Sequence, residues 1–218
     1  MARRSEHSRD EIRRMALDAA ERIVAAKGYG GLSARKVATA IGYTVGTLYL
    51  VFENLDDLVL RINGRTLDQL HARLEATTPP NDRRDPERTL LALADAYIAY
   101  AEAESPRWNM LFEYVAGKGG PLPEWYLHKL GRVFGLVETA LRPLACDDHE
   151  ARRTARVLWA GVQGICTLKI HQRMDLAGGQ RAEEMADTLI RNFLRGLATE
   201  RPPGARGRGV PANRNPAT

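Results

Sequence analysis

Apolar positions recur along most of this chain at alternating steps of three and four, the period of an amphipathic helix. Ile12, Met15, Ala16, Ala19, Ala20, Ile23 and Val24 form one such stripe. Leu127, Leu130, Phe134, Val137 and Leu141 form a second, and Ala186, Leu189, Ile190, Phe193 and Leu197 a third. No segment alternates with period two, and no internal repeat is found. The pattern predicts an all-α protein of about nine helices.

Helix starts and stops can be read between the stripes. Ser8-x-x-Glu11 has the form of a capping box, in which hydroxyl and carboxylate satisfy the free amides of a first turn. Gly28 ends that helix. Two short helices follow, Ser33 to Ile41 and about Thr44 to Phe52, with Gly42 and Tyr43 between them. Asn54 caps a longer helix to about Ala76, with Asp56 and Asp57 in its first turn, where the helix dipole favours acids. The run Thr77 to Pro86 reads as a linker. Beyond it the pattern predicts helices from about Glu87 to Glu104, from a Ser105 cap with Pro106 in the first turn, through the Leu127 stripe, from Asp147 to about Met174, and from Arg181 to Ala198. Gly117 to Pro123 reads as a loop. The Pro-, Gly- and Arg-rich tail has too little apolar surface to fold.

These signals divide the chain into a flexible basic arm (1–7), a three-helix unit (8–55), a connecting helix (56–76), a C-terminal helical domain (87–200) and a disordered tail (201–218). The chain has 218 residues, 44% hydrophobic and 27% charged, enough for a substantial core. Charge changes the picture more than composition does. Up to Phe52 nine Lys or Arg face five Asp or Glu, and the tail after Glu200 adds Arg201, Arg206, Arg208 and Arg214 with no acid. Basic ends around a near-neutral middle suit a polyanion partner. No apolar run approaches the roughly 20 residues of a membrane span, and the first residues lack a secretory apolar region. Cys146 and Cys166 form no disulfide framework. A cytoplasmic protein with no membrane partner is expected.

The segment from Ser33 to Phe52 carries the chemistry. Val37, Ile41, Leu48 and Phe52 can pack two helices together, Ala38 lets them approach, Gly42 permits a tight turn, and Thr44 can cap the second helix. That leaves Tyr43, Thr44, Val45, Gly46, Thr47 and Tyr49 facing outward, where a helix can enter the major groove and hydroxyls can reach phosphates. This stretch resembles the DNA-binding domain of the TetR family of regulators, through Ser33, Arg35, Ala38, Gly42, Thr44, Gly46, Thr47, Leu48, Tyr49 and Phe52, over about residues 8–62. The resemblance implies that Thr47 and Tyr49 contact phosphates and that Arg35 reaches the backbone or groove. The expected DNA-contact set is therefore Ser33, Arg35, Tyr43, Thr44, Val45, Gly46, Thr47 and Tyr49. Val45, Leu50 and Leu55 stand where members often carry polar or basic groups. Base readout then leans on apolar contact with thymine methyls, with Arg3, Arg4 and Arg9 compensating as an arm.

The resemblance further implies a C-terminal domain that binds a small-molecule effector and makes a homodimer through its last two helices. Residues Leu158 to Leu168 are similar to a Trp…His-Gly pattern of one C-terminal subclass, with Gln163 in the His place. Gly161 and Gly164 cost helix stability, which close packing against another helix would explain. Aromatic residues gather in this domain, as either pocket or core. The expected pocket set is Trp108, Phe112, Trp125, Phe134, Trp159 and Gln163, with Gln163 equally suited to the pocket or the dimer interface.

Alternatives from other classes are an enzyme and an architectural DNA-binding protein without a ligand. His7, His71, His128, His149 and His171 show no metal-ligand spacing and read as surface residues, although His128 and His171 could line a cavity. No nucleophile elbow or phosphate-cradling glycine pattern occurs. Neither a metal nor a cofactor is expected. The resemblance favours a repressor, released from a palindromic operator by its ligand.

Overall fold

A computed structural model describes residues 7–77, 85–114 and 121–199. The arm through Glu6, residues 78–84 of the linker, residues 115–120 of the glycine-rich loop and the tail from Glu200 lie outside the described residues. Within these limits the protein is all-α, with nine α-helices, three short 3-10 turns and no strand. The helices are α1 (Arg9–Lys27), α2 (Ala34–Ala40), α3 (Val45–Leu48), α4 (Leu55–Thr77), α5 (Pro86–Ala103), α6 (Ser105–Glu113), α7 (Glu124–Leu141), α8 (Asp148–Ile170) and α9 (Ala182–Thr199).

The capping reading of α1 holds at the atomic level. Ser8 Oγ accepts from the Glu11 amide at 3.3 Å, and the Ser8 amide donates to Glu11 Oε2 at 2.7 Å. Gly28 ends the helix at φ +67°, which only glycine adopts without cost. Asn54 Oδ1 accepts from the Asp57 amide at 2.8 Å at the start of α4, and Asp147 Oδ1 accepts from the Glu150 amide at 2.7 Å at the start of α8.

Three boundaries differ from the expectation. Ser105 is the first residue of α6, and Glu104 holds the cap position without a side-chain bond. Pro106 in the first turn, which has no amide to satisfy, lets that helix begin uncapped. α8 stops at Ile170, and Met174–Ala177 is a separate 3-10 turn, with Gln172 between them at φ +54°. The second short helix is α3, only Val45–Leu48. Past Leu48 the backbone tightens into three-residue steps, Leu50 to Thr47 and Val51 to Leu48. This tightening turns Val51 and Phe52 into the core while leaving Leu50 64% exposed.

Two apolar cores result. The first gathers α1, α2, α3 and the opening turns of α4, and it includes Met110 of α6. The second gathers the rest of α4, α5, α7, α8 and α9, and it includes Trp108 of α6. Two helices therefore serve both cores. α4 gives Leu58, Val59 and Ile62 to the first and Leu67, Leu70 and Leu74 to the second. α6 gives one buried side chain to each.

The two glycines of α8 play different parts. A Cβ on Gly161 would lie 2.6 Å from Leu189 Cδ2, so close packing on α9 requires glycine there. Gly164 is exposed, and a Cβ on it would meet nothing within 4 Å. Its packing expectation is not met inside the protomer. Gly64 of α4 is the close approach that sequence reading missed: a Cβ there would sit 2.9 Å from Trp125 Cζ3. His71 also departs from its surface reading. It is buried on α4, and its Nδ1 lies 3.1 Å from Arg132 Nη2 of α7.

Candidate DNA-contact face and effector cavity

α2 and α3 are short because each is defined by its cap. Ser33 Oγ accepts from the Lys36 amide at 3.3 Å and Thr44 Oγ1 from the Thr47 amide at 3.2 Å. Gly42, at φ +75°, makes the turn between them. Leu48, Val51 and Phe52 then anchor α3 against the first core, all at 5% exposure or less. Anchoring fixes which side of α3 faces outward. Tyr49 is 46% exposed and Leu50 64%. Arg35, Thr44 and Gly46 are exposed, and Ser33, Tyr43, Val45 and Thr47 half-buried. All eight expected contact residues thus lie on α2, α3 and their flanks with accessible atoms.

Their local bonding sorts them. Thr44 and Thr47 bring their hydroxyls to 3.1 Å of each other. The Tyr43 hydroxyl pairs with His7 Nδ1 at 2.8 Å, which pins the chain before α1 beside the α2–α3 turn. Lys36 Nζ donates to the Gly31 carbonyl at 2.6 Å, so this lysine closes a local turn. Arg13 Nε donates to the Val51 carbonyl at 3.3 Å and ties α1 to the turn after α3. Arg35 makes no hydrogen bond or ion pair among the described residues. Nothing in the protein's own packing demands glycine at position 46, because a Cβ there would meet only Thr44 Oγ1 at an ordinary 3.7 Å.

A second feature lies within the C-terminal core. A cavity of about 50 Å³ is walled by Leu74 of α4, Tyr97 of α5, Phe134 of α7, Trp159 of α8 and Ile190 of α9, among other apolar residues. Phe134 and Trp159 of the expected pocket set therefore line it, and the other four do not. Trp108 is a fully buried core residue whose ring meets Tyr97 edge-on at 6.3 Å. Phe112 is 43% exposed and stacks on Trp159 from outside at 6.4 Å. Trp125 covers Gly64 at the α4–α7 contact and holds Arg61 over its ring at 5.8 Å. The single-sequence reading placed these aromatics in one domain but could not tell which helix face each would occupy.

Gln163 stands behind the wall. Its Oε1 accepts from the Tyr97 hydroxyl at 2.5 Å, and the same hydroxyl accepts from Trp159 Nε1 at 3.3 Å. The half-buried amide thus finds a partner within the protomer. Burial pushes the Tyr97 phenol well above its ordinary range, so it remains a neutral donor. Tyr97 is the residue that sequence reasoning missed. Its only signal was membership of an apolar helix, shared with a dozen neighbours. Cys166, on the same helix as Trp159, is buried, and burial raises its thiol to about 12.

Between face and cavity lies a cluster of charges. Arg107 of α6 reaches Glu21 of α1 at 2.9 Å and Gln69 of α4 at 3.0 Å. Arg65 of α4 reaches Asp18 of α1 at 2.6 Å and Glu21 at 3.4 Å. Close by in sequence, Asn63 is fully buried on α4, with neither amide atom hydrogen-bonded. Three helices from both cores therefore meet through Glu21 and Arg107, whose side chains are 13% and 17% exposed.

Residues 16–62 match the family described as bacterial regulatory proteins, tetR family, and residues 90–193 match a tetracyclin repressor-like C-terminal domain. The chain belongs to the TetR family of transcriptional regulators. It is 25% identical over 175 residues to the uncharacterized HTH-type transcriptional regulator Rv0681 of Mycobacterium tuberculosis, covering 80% of this chain and 76% of that one. The multidrug binding protein EbrR, solved with imidazole, is 26% identical, with a TM-score of 0.60 over 88% of this chain and 97% of EbrR. FadR of Thermus thermophilus, a TetR-family repressor solved with lauroyl-CoA, shares the fold at 17% identity, with a TM-score of 0.63 over 89% of this chain and all of FadR. Among the described residues no helix is long and apolar enough to cross a membrane.

Proposed function

We propose that this regulator is a cytoplasmic homodimeric repressor that holds a palindromic operator and leaves it when a small molecule enters the C-terminal cavity. Residues 8–55 form the DNA-binding unit, 56–76 the connecting helix, and 87–200 the effector and dimerisation domain. One observation carries the DNA assignment: Gly46 is exposed beside Thr47 and Tyr49, in a place where the protein's own packing would accept a side chain. Close approach of a phosphate backbone supplies the missing reason for glycine. Thr47 and Tyr49 then donate to phosphates, Arg35 adds charge, and Val45 and Leu50 offer apolar surface to thymine methyls.

Dimerisation follows from the reach of one such unit. A single helix-turn-helix covers few bases, and two related by a dyad address half-sites about one helical turn apart or a related distance. α8 and α9 support the pairing surface: Val157 is 58% exposed, Gly164 is open, and Phe193, Leu194 and Leu197 are only half-covered within one protomer. The effector reading gains support from EbrR and FadR, each solved with a small molecule. α6 offers the route between the two sites. It places Trp108 against Tyr97 of the cavity wall, Met110 in the first core and Arg107 on Glu21. A cavity forced wider would shift α6, and with it the seat of α1.

Fluorescence anisotropy on a labelled DNA fragment from upstream of its own gene tests the DNA assignment. The wild-type protein should prefer that fragment to a scrambled one, and Gly46→Val should lose roughly a hundredfold in affinity, two copies each losing about tenfold, with unchanged helical circular dichroism. Equal binding by Gly46→Val would refute the assignment.

A further inference from the structure

Resting on the reading of α2 and α3 as the DNA-contact face of a homodimer, we propose that His7 and Tyr43 together hold one backbone phosphate of the operator, and that His7 takes up a proton from solvent as the phosphate arrives. Operator binding is then coupled to pH. His7 stands just ahead of α1, yet its Nδ1 meets the Tyr43 hydroxyl at 2.8 Å, 36 positions away in sequence. The two rings also pack edge-on at 6.1 Å. Gly42 at φ +75° and the bond from the Tyr43 amide to the Ala38 carbonyl, 2.9 Å, set where Tyr43 leaves the turn. Both side chains are half-buried, so each keeps accessible surface, and Thr44, next in the chain, is exposed.

The face is short of charge. The stretch from Ser33 to Phe52 holds two cations, Arg35 and Lys36, and no Asp or Glu. Lys36 Nζ is engaged with the Gly31 carbonyl, which leaves Arg35 to serve phosphates. A protonated imidazole at His7 adds a second cation. Among the described residues, Glu11 on α1 and Tyr43 on the α2–α3 turn face His7. The exposed Glu11 carboxyl is held below its ordinary value by the Ser8 amide and hydroxyl first, then by His7 and Arg14. Glu6, its neighbour in sequence, lies outside the described residues. Glu11 carries its charge with and without DNA, so the change on binding comes from the phosphate.

A tyrosine hydroxyl has one proton to give. When neutral His7 accepts it at Nδ1, none is left for a phosphate. Protonated His7 donates at Nδ1, the Tyr43 oxygen accepts, and the Tyr43 proton goes to the phosphate. A neutral ring that turned its N–H to Tyr43 would free the same proton but bring no charge. An O–H···O⁻ bond of about 2.5–2.7 Å puts the phosphate oxygen within roughly 5.5 Å of Nδ1. At that distance an opposite charge raises an imidazole by about one unit. A group raised in the complex favours binding below its free value and loses that gain as pH rises through its bound value. Imidazoles ordinarily titrate near about pH 6.5, so operator affinity falls from pH 6 to pH 8.

Fluorescence anisotropy of the full-length protein on the upstream fragment at pH 6, 7 and 8, at constant salt, tests the coupling. Circular dichroism at each pH checks the fold. Wild-type affinity should fall roughly thirtyfold from pH 6 to pH 8, for two copies each shifted by about one unit. His7→Gln keeps an acceptor for Tyr43 but cannot titrate, and it should lose the gain at pH 6 and vary by less than about threefold over the range. Tyr43→Phe should flatten the profile likewise. Calorimetry at pH 7 in two buffers of different ionisation enthalpy should count about one proton taken up per wild-type dimer, and none for His7→Gln. A flat wild-type profile with operator binding intact reduces the pair to a structural pin, overturning the proposal and leaving the DNA reading standing. A profile as steep in His7→Gln as in the wild type places the proton elsewhere and also overturns it. A steep profile that survives in Tyr43→Phe overturns the shared phosphate. No preference for the upstream fragment at any pH overturns the DNA reading itself.

Discussion

The DNA-contact face and the cavity are built on opposite logics. The face is made of exposed small and hydroxylic residues on two one- to two-turn helices, each placed by its own cap and a neighbouring turn. The cavity is made of large apolar residues from five helices, far apart in sequence, none of which is placed by local bonding. A face of the first kind is written in consecutive residues and is backed by α1 and the opening turns of α4. A cavity of the second kind exists only when α4, α5, α7, α8 and α9 are all in register. Changes on the face should therefore alter binding without altering stability, and changes at the cavity and at the cluster beside α6 should alter both.

The largest expected effect is on the face. Tyr49→Ala removes an exposed ring and hydroxyl, and in a dimer removes them twice. Operator affinity should fall by roughly a hundredfold, about 2.8 kcal/mol at 1.4 kcal/mol per tenfold, with the thermal midpoint unchanged within about 2 °C. A matching loss of stability would break the comparison by showing that Tyr49 is structural. Thr47→Ala should cost less, because its hydroxyl is partly engaged with Thr44.

Next comes the charge cluster. Glu21→Gln leaves Arg107 facing a neutral amide in a mostly buried site, for a loss of roughly 2 kcal/mol, below the 3–5 kcal/mol of a fully buried pair. For a chain this long that lowers the midpoint by about 4–8 °C. If α6 couples the two regions, Glu21→Gln, which lies outside the DNA-contact face, should also weaken operator binding read by fluorescence anisotropy. Wild-type operator affinity would remove Glu21 and Arg107 from the route.

Gln163→Leu should be milder. It frees the Tyr97 hydroxyl proton, an unpaired buried donor costing about 1–3 kcal/mol when nothing replaces the partner, yet Gln163 is only half-buried. A midpoint drop of about 2–4 °C by scanning calorimetry is expected. A wild-type midpoint would make Gln163 incidental.

The smallest effect is one of pH. The Lys169 ammonium holds the Glu183 carboxyl below its ordinary value. A depressed carboxyl contributes fully above its unfolded value, about pH 4.3, and loses that contribution as pH falls through its lower folded value. Glu183→Gln should lower the midpoint slightly at pH 6, and the gap to wild type should shrink steadily as the pH is taken below 4, by calorimetry. A gap that does not shrink with falling pH would mean that the charge is not what Glu183 contributes.

The same contrast explains what could be read from the residues alone. Ser8, Ser33, Thr44 and Asn54 announce helix starts because a cap acts within three residues of itself. Gly42 announces a turn for a similar reason. The α2–α3 contact residues follow at fixed spacing, so the face was legible nearly residue by residue. α3 was read too long, because the inward pull on Val51 and Phe52 is tertiary. Tyr97, the partner of Gln163, is 66 positions away from it in sequence, and Glu21 lies 86 positions from Arg107. No periodicity within one helix reports such pairs. Trp108, Phe112 and Trp125 share a composition with Phe134 and Trp159; the first two sit on α6, which gives nothing to the wall, and Trp125 sits on α7 at another phase, so they joined the expected pocket set and fell outside the lining.

Hydroxyl-radical footprinting of the DNA upstream of the gene most directly tests the central claim, that two copies of the α2–α3 face address one operator. The account predicts two protected half-sites related by a dyad, about one helical turn or a related distance apart, both lost together in Gly46→Val. Continuous protection without dyad symmetry, or a footprint that survives Gly46→Val, would contradict it.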